Sequence, residues 1–326
     1  MPIVVNSNAS ATEASFNLSR NNEALRKSLG RLSSGKRISN PADDAGGLAV
    51  AYKLNSTINR SYATIQNAQN ALSYLQVQDS ALATTGKILD RMAELRTMAQ
   101  DITKNSGDIE NYSKEFIELQ SQLRQIKEEK FNGISLFSIT SGTAASSKAQ
   151  LSKTSGGVYV DASGASIAYS KFGRELVTHP SGNTGNGSIS LNVVNMQFIL
   201  SLNGPNRTEN LGGIGHTNGG ITTTGLGDDN FITKIRDVSV SEFINAIEKL
   251  ADARAENGAE QNRIMNSINL LQTNVTNLEA AHGRIMDADI ALESTRFARY
   301  NVLVQASAAM TAQANQMTNI ALSLLG

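Results

Sequence analysis

From Phe243 to Leu278 apolar residues recur at alternating steps of four and three. Phe243, Ile247, Leu250, Ile264, Ile268, Leu271, Val275 and Leu278 lie on one line, with Arg254, Asn257 and Gln261 as its polar members. A repeat of that period keeps one seam of a helix facing a partner, which is the pattern of a coiled coil. Thirty-six residues of it predict a helix about 54 Å long, a rod rather than a globule. Upstream, Ile58, Tyr62, Ile65, Leu72, Leu75 and Leu82 keep the same spacing, and Leu89, Met92, Leu95, Met98 and Ile102 continue it in a shifted register. After a break at Asn105-Ser106-Gly107, a third amphipathic stretch runs from Ile109 to Ile126 through Tyr112, Phe116, Leu119 and Leu123. Three such helices close into one bundle. Arg254, Asn257 and Gln261 read as a polar layer paired across helices, which fixes alignment. A ligand site there is the alternative.

The two ends follow a different rule. No charged residue occurs from Tyr300 to Gly326, yet Leu303, Ala306, Met310, Gln313, Met317, Ile320 and Leu324 keep the three-four spacing. No charge precedes Glu13, and Ala11, Leu18, Leu25, Leu29 and Leu32 mark a second stripe. An exposed helix of a monomer normally carries charges on its outer face. Here Gln, Asn, Ser, Thr and Ala stand in their place, side chains that can be buried without stranding an ion. The pattern suits helices that become buried in an assembly; soluble, frayed tails are the other reading.

Glycine marks a third region, with 16 of the chain's 26 glycines and only 11 charged residues between Ser141 and Ile235. Strand-like runs at Gly157 to Asp161, Ser166 to Phe172 and Ser188 to Leu202, punctuated by Ser181-Gly182-Asn183 and Asn203-Gly204-Pro205, predict a small β-rich insert. The fold expected is therefore mainly α, a long antiparallel coiled-coil bundle built from the N- and C-terminal segments, carrying that insert. The segments are 1–42, 43–140, 141–235, 236–286 and 287–326, with the first and last as the assembly helices.

Chemistry narrows the function mostly by exclusion. Lys plus Arg and Asp plus Glu both number 29, and this balance lacks the electrostatic footprint of a nucleic-acid or membrane-surface binder. With no Cys and three scattered His (His179, His216, His282), no thiolate chemistry and no metal cluster is expected. Met1 to Thr12 has neither the basic flank nor the apolar run of a secretory signal, and no stretch is apolar enough for a membrane span. Gly212-Gly213-Ile214-Gly215 resembles the start of a calcium-binding repeat, but no second copy follows and it reads as a turn. The carboxylate pairs Asp43-Asp44 and Asp287/Asp289 sit at helix starts, where capping is the structural role for them. Five Asn-x-Ser/Thr matches, at Asn17, Asn55, Asn186, Asn206 and Asn274, are short enough to be chance. Neither enzymatic activity nor a cofactor is expected.

Particular motifs carry a resemblance. Arg31-Leu32-Ser33-Ser34-Gly35-Lys36-Arg37-Ile38 followed by Ala42-Asp43-Asp44-Ala45-Gly46-Gly47-Leu48-Ala49 resembles the N-terminal signature of bacterial flagellins, and Phe131-Asn132-Gly133 the turn closing their N-terminal helical region. Gln261-Asn262-Arg263, Arg284-Ile285-Met286-Asp287-Ala288-Asp289, Gln313-Ala314-Asn315-Gln316 and the ending Leu322-Ser323-Leu324-Leu325-Gly326 are similar to the C-terminal one. The resemblance covers Ile3 to Phe137 and Val238 to Gly326; the insert resembles nothing known.

The resemblance implies a subunit that leaves the cell unfolded through the flagellar type III apparatus and polymerises into the extracellular filament used for swimming. It implies terminal segments that are disordered in the monomer and pair as a coiled coil in the filament, and an export chaperone on the C-terminal segment. The filament cap and hook-associated proteins would be further partners. The implied assembly stripe is Leu18, Leu25, Leu29, Leu32, Leu303, Met310, Met317, Ile320 and Leu324. A Toll-like receptor of animal hosts is also implied, contacting Arg91, Leu95 and Glu115, although Arg96-Thr97-Met98-Ala99 departs from the receptor-active pattern and Arg91 and Glu115 also suit a plain solvated face. Competing readings are a hook-filament junction protein, an enzyme carried in the insert, and an adhesin or glycan-binding insert.

Overall fold

A computed structural model of the chain describes residues 8–138, 152–160, 166–201, 232 and 234–325. The helices are α1 (Ala9–Ser34), α2 (Ala45–Met98), α3 (Ser106–Lys127), the short α4 (Met196–Ile199), α5 (Val240–Met286) and α6 (Ile290–Leu325). The strands are β1 (Lys130–Phe131), β2 (Ile134–Ser135), β3 (Phe137–Ser138), β4 (Ser152–Val160), β5 (Ser166–Val177) and β6 (Ser188–Asn195). They group into two compact units, Met1–Asn59 with Thr273–Gly326, and Arg60–Gln272.

In the larger unit the predicted seams supply the core. Leu75, Leu82, Leu89, Met92 and Leu95 of α2, Phe116 and Leu123 of α3, and Phe243, Leu250 and Ile264 of α5 are all buried, with Phe116 and Phe243 edge to face at 6.1 Å. Gly86 of α2 lies where an added Cβ would come within 3.2 Å of the Leu250 side chain, which would have to give by a few tenths of an ångström. Two members of the predicted polar layer, Arg254 and Asn257, pair across helices, while Gln261 bonds to Asn257 on its own helix. Asn257 donates to Gln78 Oε1 at 2.7 Å and to the Leu75 carbonyl at 3.2 Å, while Arg254 holds Asp79 through two bonds of 2.9 and 3.3 Å.

The seam of α2 ends sooner than the spacing suggests. The helix stops at Met98, and Ile102, expected to continue the seam, is 99% exposed in the turn that follows. Asn105 then starts α3 with a reciprocal cap, accepting from Asp108 N at 2.8 Å while Asp108 Oδ2 accepts from Asn105 N at 3.2 Å. Such a cap satisfies two free amides, so the helix begins where the chain breaks.

The predicted turn at Phe131-Asn132-Gly133 is a two-residue hairpin joining β1 and β2, with φ of 49° at Asn132 and 77° at Gly133. Two successive positive φ values match the twist of the flanking strands, and Asn-Gly tolerates them best. A four-stranded sheet in the order β3-β6-β5-β4 follows, parallel only between β3 and β6. Of the predicted strand runs, Ser166 to Phe172 falls within β5 and Gly157 to Val160 within β4, whereas the third is β6 followed by α4. Asp161, Leu202, Asn203-Gly204-Pro205 and Gly212 to Gly215 lie outside the described residues. Ile189, Leu191 and Val193 alternate on the buried face of β6.

In the smaller unit α1 packs along α6. The breaks that precede α2 and α6 are fastened to each other. Arg37 N donates to the Met286 carbonyl at 2.6 Å, Ala288 N donates to the Gly35 carbonyl at 2.9 Å, and Lys36 bridges Asp287 in antiparallel register. Gly35 closes α1 at φ 68°, a left-handed cap that places its carbonyl in this bridge. Ile38, Ala51 and Met286 form a small core beside it, flanked by Leu48 and Ile285.

Candidate functional site: the terminal helix pair

Burial along α1 follows a strict three-four alternation through Ala11, Ala14, Leu18, Asn21, Leu25, Ser28 and Leu32. On α6 the same alternation runs through Glu293, Phe297, Tyr300, Val304, Ser307, Thr311 and Ala314. These are the facing seams of an antiparallel pair, and small side chains on both sides let the helices approach closely. Three polar contacts cross it. Asn8 Nδ2 donates to the Ala314 carbonyl at 2.9 Å, Asn21 Nδ2 to Ser307 Oγ at 2.8 Å, and Ser28 Oγ to Glu293 Oε1 at 2.7 Å. Ser28 and Glu293 are 2% and 5% exposed. Arg296 Nη1 reaches the other Glu293 oxygen at 3.2 Å.

This packing divides the stripe expected from the sequence. Leu18, Leu25 and Leu32 turn inward to the seam, whereas Leu29 points out and is 54% exposed. Leu303 and Met310 also face out, at 39% and 64% exposure, joined by Val302 and, on α1, by Phe16. On α6 the seam is rotated by one residue, about 100°, from the predicted line, because the Val304-Ser307-Thr311-Ala314 face is narrower and accepts hydrogen bonds from α1. Met317, Ile320 and Leu324 lie within α6, but their side chains are outside the described residues.

Of the helix-start carboxylates, Asp44 and Asp289 cap helices as expected, whereas Asp43 and Asp287 do not. Asp44 Oδ1 accepts from Gly47 N at 2.8 Å, and Asp289 Oδ1 accepts from Leu292 N at 3.1 Å, at the starts of α2 and α6. Asp43 pairs with Lys27 and accepts from the Ser39 and Asn40 amides. The Lys27 ammonium beside it holds its carboxyl down at about 2. Asp287 lies in the bridge with Lys36.

Of the residues tied to receptor contact, Arg91 and Glu115 form an ion pair at 2.8 Å, with Glu94 also on Arg91 at 2.7 Å. These carboxylates hold the Arg91 guanidinium even further into its charged form. Leu95 is 0% exposed, packed in the seam of α2, and so presents no surface to a partner.

A cluster that no sequence pattern announced joins the sheet to α5. Glu260 accepts two bonds from Asn192 N at 3.1 and 2.9 Å, while Glu256 accepts from Asn192 Nδ2 at 2.7 Å and pairs with Lys171. Burial raises the Glu260 carboxyl to about 7 despite those amide donors. Two carboxylates on a helix and one Asn on a strand more than sixty residues away carry no local signal.

Comparison with known proteins agrees with this architecture. The bacterial flagellin N-terminal helical region matches residues 5–157, and the bacterial flagellin C-terminal helical region matches residues 241–325. The chain is 30% identical to the flagellin of Bacillus subtilis, covering 98% of this chain and 99% of that one. It is 28% identical to the flagellar filament 33 kDa core protein of Treponema phagedenis, covering 99% and 100% respectively. A solved Vibrio parahaemolyticus structure assigned to the flagellar hook-associated class superposes with a TM-score of 0.53 at 17% identity, over 75% of this chain and all of the other, a likeness of fold alone. With both terminal regions matched in order and relatives that run its full length, the chain belongs to the bacterial flagellin family.

Proposed function

We propose that the chain is a self-polymerising subunit of the flagellar filament and that the α1–α6 pair is its polymerising element. The observation that carries this reading is the outward face of that pair. Phe16, Leu29, Val302, Leu303 and Met310 stand 69%, 54%, 65%, 39% and 64% exposed, and no residue from Tyr300 to Gly326 is charged. Covering apolar surface of this kind is favourable, and exposed patches of it mark interaction sites. The charge-free part of α6 from Tyr300 onward in neighbouring copies can cover it without burying an ion.

Ordering the terminal segments costs conformational entropy that a lone chain recovers only in part, so folding of the ends and addition to the filament are coupled. The same logic suits unfolded passage through the flagellar export apparatus, with a chaperone covering the C-terminal segment until release. The extracellular flagellar filament is where the subunit acts, with cap and hook-associated proteins as further partners. Arg91 and Glu115 stand as the residues a Toll-like receptor would meet.

Met310→Asp tests the assembly reading. A carboxylate buried without a partner costs several kcal/mol, and about 4 kcal/mol per subunit corresponds to roughly a thousandfold loss in affinity for the filament end. Pelleting and electron microscopy after seeding should show soluble, folded subunits and no filament growth. Removal of residues 300–326 should have the same effect, and filament growth at the normal yield from either variant would overturn the reading.

A further inference from the structure

The seam between α1 and α6 poses a problem of alignment. Large apolar side chains repeat at intervals of seven along it, with Leu18, Leu25 and Leu32 on one helix, and Phe297 and Val304 on the other. Sliding one helix past the other by a heptad, about 10.5 Å, therefore sets apolar positions opposite apolar positions again. Leucine packing alone does not distinguish these registers. An outward face can match its neighbours in a repeating assembly only when every subunit pairs its ends in the same register.

One polar contact breaks this degeneracy. A seven-residue slip in either direction takes Ser28 away from Glu293, two side chains that are almost completely enclosed. In a slipped seam the Ser28 hydroxyl loses its acceptor and the Glu293 oxygen it served loses its donor, with only Arg296 of the same helix left on the other oxygen, which is unfavourable, whereas in the observed register both are satisfied. Single polar residues in coiled-coil seams are known to fix register in this way at some cost in stability.

We infer that Ser28–Glu293 is a register lock that sets the alignment in which the two ends of the chain pair, and thereby the geometry in which subunits meet. These are positioning residues. They touch each other across the seam and act on assembly through the placement of Leu29, Val302, Leu303 and Met310. The inference rests on the polymerising role proposed for this helix pair.

The absence of cysteine from the chain provides a clean test. The pair Ala14→Cys with Ser307→Cys reports the observed register, because Ala14 stands fourteen residues before Ser28 and Ser307 fourteen after Glu293, and Ala14→Cys with Tyr300→Cys reports a register seven residues away. Each pair is placed in the full-length chain, with Ser28 and Glu293 either kept or replaced by Ser28→Val and Glu293→Leu. Samples are oxidised in assembly buffer and scored on total protein. With the lock intact the first pair should cross-link and the second should give less than a tenth of that yield. With the lock replaced, the second pair should rise at least tenfold, and filament growth on wild-type seeds should fall by a similar factor.

Glu293→Gln, which keeps an acceptor for Ser28, should restore both the single register and growth, a rescue that simple loss of packing would not give. An unchanged ratio of the two cross-links after replacement overturns the lock alone. No cross-link from the first pair overturns the helix pairing itself, and normal growth of Met310→Asp overturns the polymerising role. Those failures are therefore distinguishable.

Discussion

Replacing Asn257 by leucine is the most direct test of how α2 and α5 are aligned. Asn257 is 2% exposed, and Gln78 opposite it is 0% exposed. The Gln78 amide nitrogen bonds to the Leu136 carbonyl at 2.8 Å and the Asn192 carbonyl at 3.3 Å, and its oxygen is served by Asn257 at 2.7 Å. Asn257→Leu removes that donor and leaves the Gln78 oxygen buried without one, which costs about 1–3 kcal/mol. The Leu75 carbonyl also loses a second donor, but Gln261, which bonds to the Asn257 oxygen, is only half-buried and can turn to water. A net loss of about 2 kcal/mol lowers the melting temperature by about 4–8 °C for a unit of this size. Adding Gln78→Leu removes the stranded oxygen, so the double variant should lose less than the two single variants together, by about 1–2 kcal/mol. Thermal and urea unfolding followed by circular dichroism provide the four values. Additivity within 0.5 kcal/mol, or an Asn257→Leu protein as stable as the parent, would refute the layer as a coupled pair.

Two further perturbations follow from other parts of the structure. Because burial raises the Glu260 carboxyl from 4.5 to about 7, its contribution to stability is complete below about 4.5 and is lost as pH rises through about 7. Melting temperatures at pH 5 and pH 8 should therefore differ more in the parent than in Glu260→Gln, and equal slopes would contradict the assignment. Gly35→Ala should cost about 1 kcal/mol through backbone torsion at φ 68°, since nothing lies within 4 Å of the added carbon. Faster amide exchange at Ala288, which donates to the Gly35 carbonyl, is the expected sign; unchanged exchange would contradict it.

Most of the helical frame was legible because long seams report their own period. Phe243, Leu250, Leu75 and Leu89 lie in the core where the spacing put them, and Asn257 pairs across helices as a polar seam residue should. Ile102 was misplaced for a physical reason, since spacing continues through a turn as readily as through a helix. The spacing was blind to the reciprocal Asn105–Asp108 cap that starts the next helix. On α6 two adjacent lines share the same period, and hydrophobicity favoured Leu303 and Met310. The pairing instead used Val304, Ser307 and Ala314, because a buried seam rewards close approach and matched hydrogen bonds as well as apolar area. Glu260 with Asn192 was beyond any local pattern, since only the fold brings that strand to that helix.

The bridge at Lys36 and Asp287 has a mechanical meaning. Its two backbone hydrogen bonds lie side by side between segments running in opposite directions, so a pull on one terminal helix is shared between both bonds and both crossings of the chain. Neither interhelical break can yield alone, and a twist entering the terminal pair meets a double strap instead of a single flexible joint. Main-chain atoms form the strap, so side chains around it can vary while its resistance to torque stays the same, provided glycine keeps its left-handed turn at position 35.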